Sequence, residues 1–259
     1  MIFDPGIGVV PVSDPLDFRY EPGSFGPAPE LRSLDAIRPS LRDPSCSGPD
    51  PVYAIAMDVG RCEHRAQFEL RMLLFGVVTY AAGRLGDEPV RSQGHVHRVS
   101  KHSGWSPPEV YEIWSGTAFV YMQECAADDP GRCFAIRARS GEIVVVPPGW
   151  AHATISADPQ TTITFGALCD REYGFEYAEV RKRKGLAWYP LLTPGGEFQW
   201  ERNPCYRTDR LEVRGPGDYS RLGVQPGVPL YRQTIEAADC LQWVSKPAIA
   251  AEVWKSFQP

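Results

Sequence analysis

The sequence predicts an all-β protein, a sandwich or barrel of short strands. Three observations carry that reading. Six segments, FELRMLLFGVVTYA, FVYMQE, CFAIRA, EIVVVPP, HATISA and TTITFGAL, are rich in β-branched or aromatic residues and bounded by turn signals. They follow one another at short intervals between Pro51 and Tyr177, the spacing of a sandwich or barrel. The chain also carries 25 prolines and 24 glycines in 259 residues, which excludes a helical bundle.

The elements divide in chain order. Residues 1–50 hold nine prolines and read as an arm packing on the barrel, with one short helix from Ser33 to Leu41. Residues 51–180 are the strand-rich barrel. Residues 181–259 read as an extension of loops and a few strands, closed by a short amphipathic helix from Ala248 to Ser256. The run RKRK, Arg181 to Lys184, reads as a solvated turn before Gly185 rather than an anion site. No internal repeat is present.

Composition narrows the function. A net charge of −5 and a pI near 5.6 argue against nucleic acid and against a membrane surface, both of which call for a basic face. No apolar run approaches the ~18 residues of a membrane span. The N-terminal MIFDPGIGVVPVSDP lacks the cationic head and apolar centre of a signal peptide, so a cytoplasmic protein is expected. The seven cysteines are scattered with no C-x-x-C pair, as expected of reduced thiols used as small apolar residues.

The chemistry concentrates in SQGHVHRVSKHSGWSPPEVYEIWSG, Ser92 to Gly116. His95 and His97 are two apart, so on a strand they share a face ~6–7 Å apart. Both can then reach one metal ion with nitrogen bonds near ~2 Å. Glu109 and Tyr111 share a face by the same rule, while Val110 and Glu112 face the other way. A second stretch, GEIVVVPPGWAH, sets His152 at the start of a strand just after a Pro-Pro-Gly turn.

Together these two stretches resemble the paired motifs of the cupin family: G…H-x-H…E-x6-G, then G-x5-P-x-G-x2-H. The resemblance implies a double-stranded β-barrel, or jelly roll, with His95, His97, Glu109 and His152 converging on one divalent metal. Two features depart from the pattern. The spacer of eleven residues from His97 to Glu109 is longer than usual, and Ser156 stands where many cupins have asparagine. His102, in that enlarged spacer, and His64 read as surface histidines outside the motif.

The wording around the motifs is narrower still. RSQGHVH, PPEVYEIWSG, IVVVPPGWAHATIS and ALCDREYGFEY resemble the cupin-type glucose-6-phosphate isomerases of archaea and some bacteria, and GLAWYPL, NPCY and VPLY extend the likeness. That family implies an iron, manganese, nickel or zinc ion beside an open-chain sugar phosphate, with a proton or hydride moving between C1 and C2. Glu109 then matches the catalytic base and Tyr111 a substrate contact. Ser92, Gly94 and Tyr177 match positions that bind substrate or its phosphate, and Thr79 stands in for a second phosphate-binding threonine missing at Val78.

The substrate shell departs from the family elsewhere. Gly149 and Cys169 replace tyrosines, and Phe175 replaces a histidine. A site built to hydrogen-bond a hydroxyl loses discrimination when the partner goes. The leading expectation is a metal-dependent aldose–ketose isomerase, a homodimer. The alternative is a cupin metalloenzyme recruited to another polar substrate, as epimerase, lyase, decarboxylase or iron-dependent oxygenase. A non-catalytic binding cupin ranks third, since it has no use for a base beside the metal.

Overall fold

The stretch LLFGVVTY, Leu73–Tyr80, shows how the residues build the molecule. Side chains alternate between the two faces of a strand. Leu74, Val78 and Tyr80 therefore enter one apolar cluster, while Leu73, Phe75 and Val77 enter another. All eight residues are buried. A strand buried on both faces needs a layer on each side.

The computed structural model describes residues 3–259. A six-stranded sheet runs in the order Ile143–Val146, Glu109–Ser115, Ile163–Asp170, Leu73–Tyr80, Tyr53–Met57, Glu30–Arg32. A four-stranded sheet runs Ala151–Ser156, Thr117–Gln123, Cys133–Arg139, Glu212–Arg214. Neighbours are antiparallel except the last pair, which is parallel. Between the sheets lies a core to which one contributes Val78, Tyr111, Ile113 and Phe165, the other Val120, Met122, Phe134 and Ile136. This is the jelly roll the sequence predicts.

The chain crosses from one sheet to the other at Gly116, where φ is +76°. A Cβ there would sit 2.7 Å from Ile163 Cγ2 and 2.9 Å from the Thr162 carbonyl oxygen. Only glycine makes that corner.

Two outer layers complete the molecule. The hairpin Val9–Ser13/Leu16–Tyr20 and the segment from Tyr219 to Phe257 cover the outer face of the six-stranded sheet, joining Leu73, Phe75, Val77 and Trp114 in one cluster. The outer face of the other sheet, with Phe119, Tyr121 and Ile155, is covered by Val180, Leu186 and Tyr206 and by the Trp188–Leu192/Phe198–Arg202 hairpin.

Several elements differ from expectation. FELRMLLFGVVTYA is not one strand: its beginning belongs to the helix Arg65–Leu70, which buries Phe68, and Met72 turns the chain at φ +54° before the strand starts. The helix expected over Ser33–Leu41 is capped by Ser33 but stays α-helical only over Leu34–Ile37; around Pro39, which lacks an N–H, it tightens to a 3-10 turn, Arg38–Ser40. The terminal helix is likewise a 3-10 turn, Pro247–Ala250, followed by Ala251–Trp254.

The RKRK run begins inside a helix, Ala178–Lys182, and only its second half, Arg183 and Lys184, makes the turn before Gly185, with Lys184 at φ +59°. Arg181 is tethered by its Nε to Gln93 Oε1 at 2.8 Å and by its Nη2 to the Ala36 carbonyl at 3.2 Å. Sequence neighbours gave no hint of those partners. All seven cysteines are unpaired thiols. Among the described residues, no helix is long and apolar enough to cross a membrane.

Candidate active site

Alternation and register bring the site together. Met122, which points into the core, pairs with His152, so His152 points inward too. His95 and His152 face each other across an antiparallel bridge, each N–H donating to the other's carbonyl at 3.0 and 2.9 Å. His97 is in the two-residue strand Val96–His97, paired to Phe175–Glu176. Glu109 opens the strand Glu109–Ser115 of the six-stranded sheet, whose inward residues are Glu109, Tyr111 and Ile113. The ligand-type atoms of His95, His97, Glu109 and His152 all lie within 4.8 Å of one another.

The ring nitrogens are sorted by the backbone. His97 Nδ1 donates to the Pro107 carbonyl at 2.8 Å and His152 Nδ1 to the Trp150 carbonyl at 3.0 Å. When such a ring is neutral its Nε2 is bare and able to ligate. Burial would lower His97, but the Glu109 charge outweighs it and raises that ring above its ordinary value. Burial, then the neighbouring His152 and His97, hold His95 well below the usual histidine range, so it is neutral. Burial alone would raise Glu109, but His97 and His152 outweigh it and keep the carboxyl well below its ordinary range. Glu109 is ionised.

His95 Nε2 is buried with no hydrogen-bond partner among the described residues, while His97 Nε2 and His152 Nε2 stand 3.2 and 3.3 Å from Glu109 Oε2. Buried polar atoms are seldom left so. Three imidazoles and one carboxylate are a donor set that first-row divalent ions accept, so these four residues could bind a metal.

Glu109 has two further partners. The Tyr111 hydroxyl donates to its Oε2 at 2.5 Å, and the Cys169 thiol to its Oε1 at 2.8 Å. Burial, reinforced by the Glu109 charge, pushes both groups well above their ordinary range, so both keep their protons and act as donors. The Glu109–Cys169 contact was not foreseen: Cys169 read only as a lost tyrosine.

The site opens onto a pocket of about 540 Å³, a volume that includes space open to solvent at its mouth. Ser92, Tyr111, Tyr177 and Val78 line it, and Phe175 packs on His95 with ring centres 4.5 Å apart. Ser92 Oγ accepts from the Thr154 N–H at 3.2 Å. Tyr177 is 6.0 Å from His95, ring to ring.

Gly94 does not line the cavity. Its φ is +85° and a Cβ would meet Leu186 at 2.8 Å, so packing requires the glycine. Gly149, also at positive φ, has open space around it. Thr79 is a correction: alternation puts it on the face opposite Val78 and Tyr80, with its Oγ1 3.0 Å from Thr164 Oγ1, away from the cavity. His64 contacts the Tyr231 hydroxyl at 3.1 Å, and exposed His102 donates its backbone N–H to Glu172 at 2.8 Å; neither joins the site. Arg32 and Gln93 do line the cavity and were missed.

A family model described as glucose-6-phosphate isomerase matches residues 40–208 of this chain. The chain belongs to the glucose-6-phosphate isomerase family. Among curated members, the glucose-6-phosphate isomerase of Sinorhizobium medicae is 31% identical over 130 residues, covering 50% of this chain and 55% of that protein. The one from Thermococcus litoralis is 28% identical over 135 residues, 52% of this chain and 65% of its own. A putative glucose-6-phosphate isomerase of Rhizobium meliloti is 23% identical, over 52% and 58%. The chain thus spans between half and two thirds of these relatives' lengths.

Solved structures similar to this family member include an oxalate decarboxylase, with TM-score 0.37 and 12% identity over 60% of this chain and 31% of that one. An oxalate oxidase complexed with glycolate gives 0.31 and 14% over 41% and 46%.

Proposed function

We propose that this family member is a metal-dependent aldose–ketose isomerase acting on a sugar phosphate, moving a proton between C1 and C2. One observation supports this above the rest: an ionised carboxylate, Glu109, stands in the metal-type cluster and at the same time faces the cavity. An iron, manganese, nickel or zinc ion held by His95, His97, Glu109 and His152 would supply Lewis acidity at the sugar carbonyl.

The chain's own residues do the rest. Glu109, being ionised, can take the proton from the carbon beside the carbonyl and return it to the neighbouring carbon. Tyr111 and Cys169 hold its two oxygens in place from either side. The wall of Tyr53, Tyr80, Phe165 and Phe175 keeps water out, which strengthens each charge-assisted contact. On this reading the enzyme works in the cytoplasm, its thiols reduced.

A second reading has its own support. Val78 and Phe175 present hydrocarbon to the cavity where the family resemblance calls for threonine and histidine. A cupin metalloenzyme recruited to another polar substrate, as epimerase, lyase, decarboxylase or iron-dependent oxygenase, would keep Glu109 and change such walls.

One experiment separates the two. Wild type loaded with manganese under nitrogen should convert fructose 6-phosphate to the aldose, and Glu109→Gln should lose that rate. No turnover of this or other ketose phosphates by the loaded wild type would sink the isomerase and promote the second reading. Oxygen uptake with turnover in air would single out an oxygenase.

A further inference from the structure

The cavity wall carries two donors that the protein leaves unused, one of them on a guanidinium. Arg32 reaches it from Glu30–Arg32, the last strand of the six-stranded sheet, beside Tyr53 and Tyr177. Its side chain is 19% exposed. Nη2 pairs with the exposed Glu30 at 2.6 Å, but Nε is buried without a partner among the described residues.

Gln93, 1% exposed, stands in the same wall. Its Oε1 is taken by Arg181 Nε at 2.8 Å, and Nε2 is buried with no acceptor. Arg181 also sits over the Tyr177 ring, 5.1 Å from its centre, so the wall is braced from behind. Two orphaned donors in one cavity are rare in a finished core. What both lack is an acceptor, and a guanidinium fork is matched in shape and charge by a phosphate or carboxylate.

We infer that Arg32 and Gln93 grip an anionic group of the substrate, phosphate or carboxylate, and that Arg32 selects anionic over neutral sugars. The inference rests on the proposed sugar-type substrate, with its carbonyl end at Glu109. Arg32 lies outside the family match over residues 40–208, so the chain's N-terminal arm supplies this selectivity.

The test is equilibrium binding by calorimetry to metal-loaded protein, with fructose 6-phosphate, glucuronate and fructose as probes. Wild type should bind at least one of the two acids about tenfold or more tighter than fructose, by an amount that shrinks with salt. Arg32→Ala should lose that preference while fructose binding stays, and Arg32→Lys should keep part of it. Gln93→Glu should weaken the acid and spare fructose, since it sets a carboxylate against the anion.

The tighter of the two acids identifies the group as phosphate or carboxylate. Equal affinity of wild type for all three probes, no binding of either acid, or a preference unchanged in Arg32→Ala would each overturn the inference. Should Arg32→Ala fail to fold, the wild-type preference and Arg32→Lys decide alone. Tight binding of fructose 6-phosphate without turnover would remove the isomerase and leave the anion grip standing. Turnover with unchanged affinity in Arg32→Ala would do the reverse.

Discussion

Glu109 receives contacts from four side chains, and each does something different to it. His97 and His152 keep it ionised, while Tyr111 and Cys169 fix its orientation. Removing a metal-type ligand should act on the metal before the fold, because the barrel core is built from other residues. His95→Ala or His152→Ala should lose most of the ~1 divalent ion per chain expected of wild type. Elemental analysis checks this, and a wild type that neither carries nor takes up metal refutes it. Glu109→Gln should cost about 10²- to 10⁴-fold in rate. Tyr111→Phe and Cys169→Ala each remove one hydrogen bond to Glu109, worth ~1 kcal/mol, so each should cost about two- to tenfold in kcat. A Cys169→Ala enzyme as slow as Glu109→Gln would mean that the thiol does more than orient.

At the scale of elements, every strand of the six-stranded sheet except the edge strand Glu30–Arg32 serves two layers. Glu109–Ser115 sends Glu109 and Tyr111 toward the cavity and Glu112 toward the C-terminal segment. There Glu112 accepts from the Leu230 N–H at 2.7 Å and from Trp114 Nε1 at 3.0 Å. Burial nonetheless pushes Glu112 up to about 7, against an ordinary 4.5. The folded chain therefore holds this proton more tightly than the unfolded one. Its contribution to stability is full below the unfolded value and is lost as pH rises toward the folded one. The loss amounts to no more than ~3 kcal/mol. Denaturant titrations on either side of that window should show wild type losing more stability with pH than Glu112→Gln. Equal slopes in the two proteins would contradict it.

Across the whole molecule, the arm and the extension are structural layers as much as appendages. A buried ion pair, Arg91 with Glu88 at 2.6 Å, anchors the start of the histidine loop, and Arg91 also donates to the Ser40 carbonyl at 2.6 Å. The arm thereby holds the segment that presents Ser92 and His95. Its own strand Glu30–Arg32 forms an outer edge of the six-stranded sheet and leaves Leu31 52% exposed. Unpaired edges are ready partners for a second chain. We expect a homodimer with the arm at its interface. Light scattering at micromolar concentration should give twice the 28.8 kDa of one chain, and a monomer mass would rule it out.

The barrel was legible in the sequence because strands are written in short-range periodicity, and the candidate metal ligands were legible through their resemblance to the paired cupin motifs. Two-residue alternation placed His95 with His97 and Glu109 with Tyr111, and glycines marked the corner at Gly116 and the turn at Gly149. Register, however, is a long-range property. That Cys169 meets Glu109 depends on how the Ile163–Asp170 strand pairs beside Glu109–Ser115, sixty residues away in the chain. Thr79 read as a neighbour of the substrate because a shift of one position seemed harmless, yet one position on a strand reverses the face. Arg32 and Gln93 carry no motif at all. Only the addition of the arm's strand to the sheet edge, and the tether of Arg181 to Gln93, bring a cation and an idle amide into one wall. The sequence by itself set the strand-rich barrel and, through its motifs, named candidate metal ligands and a candidate base. The tertiary structure alone decided what else faces them, because contacts between distant segments follow from packing and pairing rather than from spacing along the chain.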